Sequence, residues 1–276
     1  MRQNRGLVYL CLLGISLTLS ACGGGGGGGA APVATYAVGG TVTGLTGSGL
    51  TLRNNGGDDL TISADGVFTF ATALNDLTTY AVTVSSQPGT PSQTCVVSNG
   101  SSTLAGADVT NVAIACSVNS FTIGGMVTGL SGSGLVLQNN TGDNLPISAD
   151  GSFTFATALV DLSSYAVMVS TNPSTPNQIC SVSNGTGSLA GANVTNVAVN
   201  CSTNAYTIGG AITGLVGTGS LIIQNNGGDN LAIGAGATNF IFATALADLS
   251  NYVVTVLAQP GTPSQTCVVS NGSSTL

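Results

Sequence analysis

Short runs of alternating apolar and polar residues fill the chain from residue 36 onward, and glycine-, asparagine- or proline-rich segments separate them. The first seven runs cover residues 36–45, 50–54, 59–64, 67–74, 80–85, 94–98 and 109–116. Alternation with period two places successive side chains on opposite faces of a strand, so each run predicts a β-strand. No segment shows the 3.6-residue apolar period of a helix. Seven short strands per unit predict an antiparallel two-sheet sandwich.

Two details of this pattern make local predictions. Asp65-Gly66 lies between two alternating runs and has the composition of a tight type I′ hairpin turn. Phe68 and Phe70 are separated by one polar residue, so we expect both rings to face the same side of a sheet.

The same pattern occurs three times along the chain. The pairs Gly39-Gly40, Gly124-Gly125 and Gly209-Gly210 recur at a spacing of 85 residues. This period is longer than the roughly 20–50 residues of solenoid repeats and suits a small autonomous domain. We therefore predict sandwich repeats over residues 36–119, 120–204 and 205–276. Leu276 aligns with Leu104, so the third repeat is incomplete and lacks the last strand.

The N-terminal region differs from the repeats. Arg2 and Arg5 precede an apolar stretch at residues 6–18, which is too short to span a membrane and indicates a secretory signal. Leu19-Ser20-Ala21-Cys22 resembles a bacterial lipobox, which implies removal of residues 1–21 and lipidation of Cys22. An ordinary signal peptide is the alternative. Residues 22–35 include seven consecutive glycines and predict a flexible tether.

Three segments of each repeat carry a family resemblance. In the first repeat they are residues 40–45, 63–70 and 77–84, and they resemble repeats of bacterial surface proteins with immunoglobulin-like or prealbumin-like sandwiches, such as carboxypeptidase-regulatory-like modules. The resemblance implies a spacer, adhesive or display role without enzymatic activity. The lipobox resemblance, with Gly23 in place of Asp after Cys22, implies sorting to the outer membrane, on either its surface or its periplasmic face.

Five cysteines follow the tether. Cys95 and Cys116 are separated by 21 residues, as are Cys180 and Cys201. In an oxidising export compartment this spacing predicts the disulfides Cys95–Cys116 and Cys180–Cys201, with buried thiols as the alternative. Cys267 is left unpaired because the third repeat ends before a second cysteine. We expect the sequence to be a fragment or a shortened product; alternatively, the missing strand exposes an edge groove that accepts a strand from another chain.

Composition narrows the possible functions. Charged residues make up 5% of the chain, the net charge is −7 and histidine is absent. Histidine-dependent acid–base chemistry and histidine-ligated metal sites are excluded, as is a basic nucleic-acid surface. The serines lack a histidine or lysine as activating base. We expect no catalytic residue, no cofactor and no nucleic-acid partner.

Few residues qualify as binding-site candidates. Asp58, Asp59 and Asp65 are weak candidates for calcium, which prefers several carboxylate oxygens. Asn144 and Asn230 replace Asp59 in the later repeats, which favours a turn-forming role. The aromatic residues after the tether fall at repeat-equivalent positions and are expected in the core rather than on a glycan platform. The tyrosines that follow Asp-Leu-x-x resemble turn-anchoring tyrosines that bond to the backbone; they are Tyr80, Tyr165 and Tyr252.

Together these observations predict a non-catalytic, lipid-anchored envelope protein that acts as a structural spacer, display or adhesion module. One alternative is the N-terminal stalk of a longer surface protein. Another is a weak calcium- or glycan-binding module. The expected partners are the membrane, contacted through the N-terminal lipid, and a protein or glycan that the sequence does not identify.

Overall fold

The computed structural model describes residues 32–276, and all regular elements of this part are β-strands. The predicted all-β sandwich fold is confirmed. The predicted signal peptide, Cys22 and the glycine run of the tether lie outside the described residues. Within residues 32–276, the structure has no helix long and apolar enough to cross a membrane.

Repeat 1 consists of two packed four-stranded sheets and a small strand pair at one end. Its strands are β1 (Thr35–Tyr36), β2 (Val38–Thr43), β3 (Leu50–Asn54), β4 (Asp58–Ile62), β5 (Gly66–Thr69), β6 (Leu74–Asn75), β7 (Thr79–Ser86), β8 (Gln93–Ser98), β9 (Ser101–Thr103) and β10 (Val109–Val118). The first sheet has the order β5-β2-β10-β8 and the second has the order β4-β3-β7-β9. The short strands β1 and β6 pair with each other.

Repeat 2 reproduces this arrangement strand for strand. Its strands are β11 (Ser120–Phe121), β12 (Ile123–Thr128), β13 (Leu135–Asn139), β14 (Asp143–Ile147), β15 (Gly151–Thr154), β16 (Leu159–Val160), β17 (Ser164–Thr171), β18 (Gln178–Ser183), β19 (Thr186–Ser188) and β20 (Val194–Thr203). The sheet orders are β15-β12-β20-β18 and β14-β13-β17-β19.

Repeat 3 keeps the second sheet and loses most of the first. Its strands are β21 (Ala205–Tyr206), β22 (Gly209–Ala211), β23 (Leu221–Asn225), β24 (Asp229–Ile233), β25 (Asn239–Ile241), β26 (Leu246–Ala247), β27 (Asn251–Ala258) and β28 (Ser273–Thr275). The sheet β24-β23-β27-β28 is complete, whereas the first sheet is reduced to the pair β22–β25.

Each repeat has its own hydrophobic core between the two sheets. The alternating residues of the strands form it, because side chains of one parity point inward. Phe68 and Phe70 are both buried and pack edge to face with their ring centroids 5.8 Å apart, as the alternation predicted. Val67, on the other parity, is exposed. Burial of apolar surface within each repeat is therefore the main stabilising contribution.

The strand count exceeds the predicted seven. The predicted strand at residues 67–74 divides into β5 and β6, because the chain leaves the first sheet and then pairs with β1. The strand β9 was missed, since all three of its residues are polar and exposed and it therefore shows no apolar alternation.

The first sheet is mixed rather than purely antiparallel, which corrects the predicted pairing. The last strand β10 lies in the middle of the sheet, parallel to β2 and antiparallel to β8. Gly40 makes the parallel approach possible: a Cβ atom there would lie 1.8 Å from the carbonyl oxygen of Val112 on β10. The glycine pair at the start of repeats 1 and 2 therefore marks a site of close backbone approach.

The predicted hairpin at Asp65-Gly66 is wrong. The strand β4 pairs with β3 in one sheet, whereas β5 pairs with β2 in the other, so this turn crosses between the layers. The Asp65 carboxylate accepts hydrogen bonds from the backbone N–H groups of Gly44 and Leu45, at 2.9 and 2.7 Å. Asp65 thus ties the crossing turn to the loop after β2.

Candidate functional site at the repeat junctions

The junction between repeats 1 and 2 contains one residue outside the strands. Asn119 lies between β10, which ends at Val118, and β11, which begins at Ser120. Its backbone N–H donates to the Ser92 carbonyl of repeat 1, and its carbonyl accepts from the Asp161 N–H of repeat 2, both at 2.9 Å. The backbone of the linker is therefore bonded to both repeats.

The Asn119 side chain adds two bonds on the repeat 1 side. Its Nδ2 donates to the Ser92 hydroxyl, and its Oδ1 accepts from the Thr94 hydroxyl, each at 2.7 Å. With the two backbone bonds, every polar group of Asn119 has a partner. Rotation about the dihedrals of Asn119 would break several of these bonds at once.

Asp161 joins the two repeats directly. Its Oδ2 accepts from the Ser92 N–H of repeat 1 at 2.7 Å, and its Oδ1 accepts from the Gly191 N–H of repeat 2 at 2.8 Å. The residue is 6% exposed. One carboxylate therefore bridges backbone groups of neighbouring repeats and is shielded from water.

These bonds also affect the acidity of Asp161. The backbone N–H groups of Ser92 and Gly191 stabilise the ionised carboxylate and lower its pKa below the ordinary value, against the opposing effect of burial. The carboxylate is therefore charged at neutral pH, and these bonds are of the stronger, charge-assisted type.

The junction between repeats 2 and 3 repeats the backbone bonds but fewer of the side-chain bonds. Asn204 donates to the Asn177 carbonyl at 2.9 Å, and the Asp248 carboxylate accepts from the Asn177 N–H at 2.6 Å. Ile179 occupies the position of Thr94 and cannot donate to the linker. Both junctions therefore contain a backbone bond of the linker asparagine and a bridging aspartate, and only the first also has bonds from the asparagine side chain.

Sequence reasoning missed the roles of Asn119 and Asp161. The sequence shows that Asp-Leu-x-x-Tyr recurs in each repeat. The recurring aspartate was the one available signal in the sequence. Only the fold shows that Ser92 of the previous repeat lies beside Asp161.

The two predicted disulfides are present in the structure. Cys95 bonds to Cys116, and Cys180 bonds to Cys201. Each joins directly opposite residues of the antiparallel strands β8–β10 or β18–β20. Cys267 has no disulfide partner among the described residues and is partly accessible.

The three aspartates considered for calcium do not converge. Asp59 forms a bidentate pair with Arg53, whose hydrogen bond lowers the pKa of the carboxyl group. Asp58 accepts from the Thr72 N–H, and Asp65 caps the loop after β2. Within residues 32–276, no group of three acidic or cysteine side chains is arranged to hold a metal ion.

The aromatic residues mainly line the cores, and one tyrosine anchors a turn. Tyr80 is buried, and its hydroxyl donates to the Asn99 carbonyl at 3.4 Å. Tyr165 is buried and Tyr252 is half-buried. Tyr206, at the start of repeat 3, is exposed, which corrects the expectation that every aromatic residue after the tether lies in a core.

No protein-family model matches the chain, and no curated protein is similar to it in sequence. Among solved structures, the Bacillus anthracis TIE protein gives a match with a TM-score of 0.44 and 10% sequence identity. The match covers 81% of this chain and 45% of that protein, so the chain spans less than half of its length.

Proposed function

We propose that the protein is a non-catalytic, lipid-anchored protein of the cell envelope that acts as a structural spacer. Its repeats form a semi-stiff stem that holds a contact surface away from the outer membrane. The observation that carries this proposal is the saturated junction between repeats 1 and 2. The buried Asp161 carboxylate connects repeats 1 and 2 directly, which a stiff spacer requires and a string of independent domains does not.

The dimensions of the repeats suit a spacer. A strand of ten residues such as β10 spans roughly 34 Å, and β10 continues almost directly into the first strand of the next repeat. A bend at the linker would shorten the end-to-end length of the stem. The hydrogen bonds of Asn119 to both repeats oppose such a bend.

The N-terminal sequence supports attachment through lipid rather than charge. Cys22 follows a signal-like segment in the sequence, and the glycine-rich residues 23–34 would have a mean reach of about 20 Å as a flexible coil. Thr35, which the sequence assigned to the tether, belongs instead to β1. Arg53 is the only basic side chain after the signal, so the stem has little electrostatic attraction to anionic headgroups. The disulfides support an oxidising compartment.

The anchor is tested by the substitution Cys22→Ser. We expect the variant to leave the detergent phase in a detergent-partition assay of the producing cells, because the thiol that receives the lipid is gone. Cys267→Ser is the matched control and should partition like the unmodified protein. Retention of the Cys22→Ser protein in the detergent phase would contradict the anchor.

A further inference from the structure

The first sheets of repeats 1 and 2 contain no charged residue in any of their strands. These strands are β2, β5, β8 and β10 in repeat 1, and β12, β15, β18 and β20 in repeat 2. The ten aspartates and Arg53 all lie outside them, although the net charge of the chain is −7. Two copies of the chain can therefore bring these sheets together without placing like charges against each other.

The outward side chains of the first sheet of repeat 1 are here called uncharged face 1. They form rows of paired residues across the strands, and all of them are exposed. One row crosses all four strands and consists of Val67, Thr41, Ala113 and Ser98, and the next consists of Thr43, Ala115 and Val96. None of these side chains is larger than valine, so the backbone of another flat sheet can approach this face closely.

The outward side chains of the first sheet of repeat 2, here called uncharged face 2, have the same character. The row across its four strands consists of Ser152, Met126, Ala198 and Ser183. Met126 and Ile179 are 51% and 60% exposed. Apolar side chains that gather on one exposed face are typical of a contact surface.

The outward sides of the second sheets are polar by comparison. In repeat 1, Arg53 forms its bidentate pair with Asp59 across β3 and β4. In repeat 2, Gln138 donates to the Asn144 side-chain oxygen at 2.7 Å across β13 and β14. Burying such groups removes them from water at a cost in free energy. A contact between copies is therefore favoured on the first sheets rather than on the second.

Side-chain bonds oppose contact through the edge of the first sheet. The edge strand of repeat 1 is β8, where the Gln87 side chain accepts from the Cys95 N–H at 2.7 Å and donates to its carbonyl at 3.0 Å. In repeat 2, the Asn172 side chain accepts from the Cys180 N–H at 2.9 Å. A pairing strand would need these backbone groups, which already have partners. Contact is therefore expected between faces rather than between edges.

The size of the two faces indicates how many repeats must take part. Four strands spaced by about 4.8 Å, with a length of six residues as in β8, give each face an area of about 400 Å². Two such faces bury about 800 Å² in total, less than the roughly 1,200 Å² of a specific interface. Faces 1 and 2 of two copies together bury about 1,600 Å², the standard size.

We propose that two copies of the chain associate through uncharged faces 1 and 2, related by a two-fold axis parallel to the strands. Repeat 1 then packs on repeat 1 of the second copy, and Val67 lies opposite Ser98 of that copy. The parallel direction rests on the proposed lipid anchor, which holds both N-terminal ends at one membrane, whereas the contact between faces does not. Two packed stems resist bending more than one, as a spacer requires.

Sedimentation equilibrium of residues 32–276 with Cys267→Ser tests the association. This chain contains all described strands and all three cores, carries no lipid and cannot form a disulfide through residue 267. We expect twice the mass of one chain at high concentration and dissociation on dilution. A single-chain mass at every measured concentration would overturn the proposal, whatever the result of the Cys22→Ser test of the anchor.

Lysine substitutions test the faces. Ala113→Lys and Ala198→Lys should each raise the dimer Kd at least about tenfold, because each buries an unpaired charge opposite its own copy. Ala81→Lys and Ala166→Lys are the matched controls, on the outward sides of the second sheets, and should leave Kd unchanged. Thermal unfolding checks that each variant is folded.

A second variant covers the case in which Ala113→Lys does not fold. Val67→Asp is a change at a side chain that is 86% exposed, so it costs little packing within the repeat. It should weaken association in the same way. Equal dimer Kd values for the face variants and their controls would overturn the proposal.

Disulfide trapping tests the parallel direction. Chains with Val67→Cys are mixed with chains with Ser98→Cys, both in the Cys267→Ser background, and oxidised mildly. We expect mixed disulfide-linked dimers from this pair and few from Val67→Cys mixed with Ser152→Cys, a pair that the opposite direction would bring together. Preferential linkage of residues 67 and 152 would overturn the parallel arrangement.

Discussion

Aspartate side chains serve mainly to connect backbone segments in this protein. Asp65 ties a turn between layers to a loop, and Asp161 ties one repeat to the next. Asp76, at the position of Asp161 in repeat 1, accepts only from its own repeat, through Leu77 and Gly106. The aspartate at this repeat position therefore bonds within its own repeat in repeat 1 and bridges two repeats in repeat 2.

The titration of Asp161 follows from this bridge. Its pKa is lowered in the folded chain, so it stabilises the junction above its ordinary, unfolded pKa of 3.8. This contribution is lost as the pH falls through the lowered folded value. We expect the Ser92 amide shift in an NMR titration to follow Asp161, with a midpoint below the ordinary 3.8.

The substitution Asp161→Asn should remove that titration and accelerate hydrogen exchange at Ser92, because the charged acceptor is gone. Asp76→Asn is the matched control, since it removes the equivalent carboxylate without touching a junction. A midpoint at or above 3.8, or unchanged exchange at Ser92 in Asp161→Asn, would contradict the bridging role.

At the scale of elements, the parallel pair β2–β10 determines the fold of each complete repeat. It joins the first long strand to the last, and glycine allows the two backbones to approach. We predict that Gly40→Ala destabilises repeat 1 by about 2 kcal/mol or more, since its Cβ atom would overlap the Val112 carbonyl.

Gly57→Ala is the control for this substitution, because the Cβ position at Gly57 has no neighbour within 4 Å. Denaturant unfolding of a two-repeat chain ending at Asn204 compares the variants with the parent. Equal midpoints for Gly40→Ala and the parent would show that the close approach is unimportant for stability.

Local patterns could predict strands but not all of their partners. The alternation around Phe68 and Phe70 identifies the inward face, and the equal cysteine spacings identify the disulfides. The pairing of β2 with β10 joins residues about seventy positions apart, which periodicity does not reveal. The glycine pair within a strand was the one local sign of close backbone approach.

The candidate site was harder to predict than the fold. Lipidation of Cys22 stays a prediction, whereas the junction depends on contacts between repeats that only the structure brings together. Thr94 bonds to the linker, but its counterpart Ile179 does not, so sequence similarity between repeats hides a difference between junctions.

At the scale of the whole molecule, a stem requires that neighbouring repeats keep a fixed orientation. Each repeat has its own core, so shared core packing does not fix the orientation of neighbouring repeats. Orientation then depends on the linker and the bridging aspartate. The junction between repeats 2 and 3 has fewer side-chain bonds than the junction between repeats 1 and 2. We therefore expect repeat 3 to move more freely relative to repeat 2 than repeat 2 moves relative to repeat 1.

Backbone ¹⁵N relaxation of the chain tests the stem most directly. The amides of repeats 1 and 2 should fit one common anisotropic tumbling, and a Gly-Ser insertion after Asn119 should separate them into two. If the two repeats of the unmodified chain already tumble independently, each with the shorter correlation time of an isolated domain, the spacer function is contradicted.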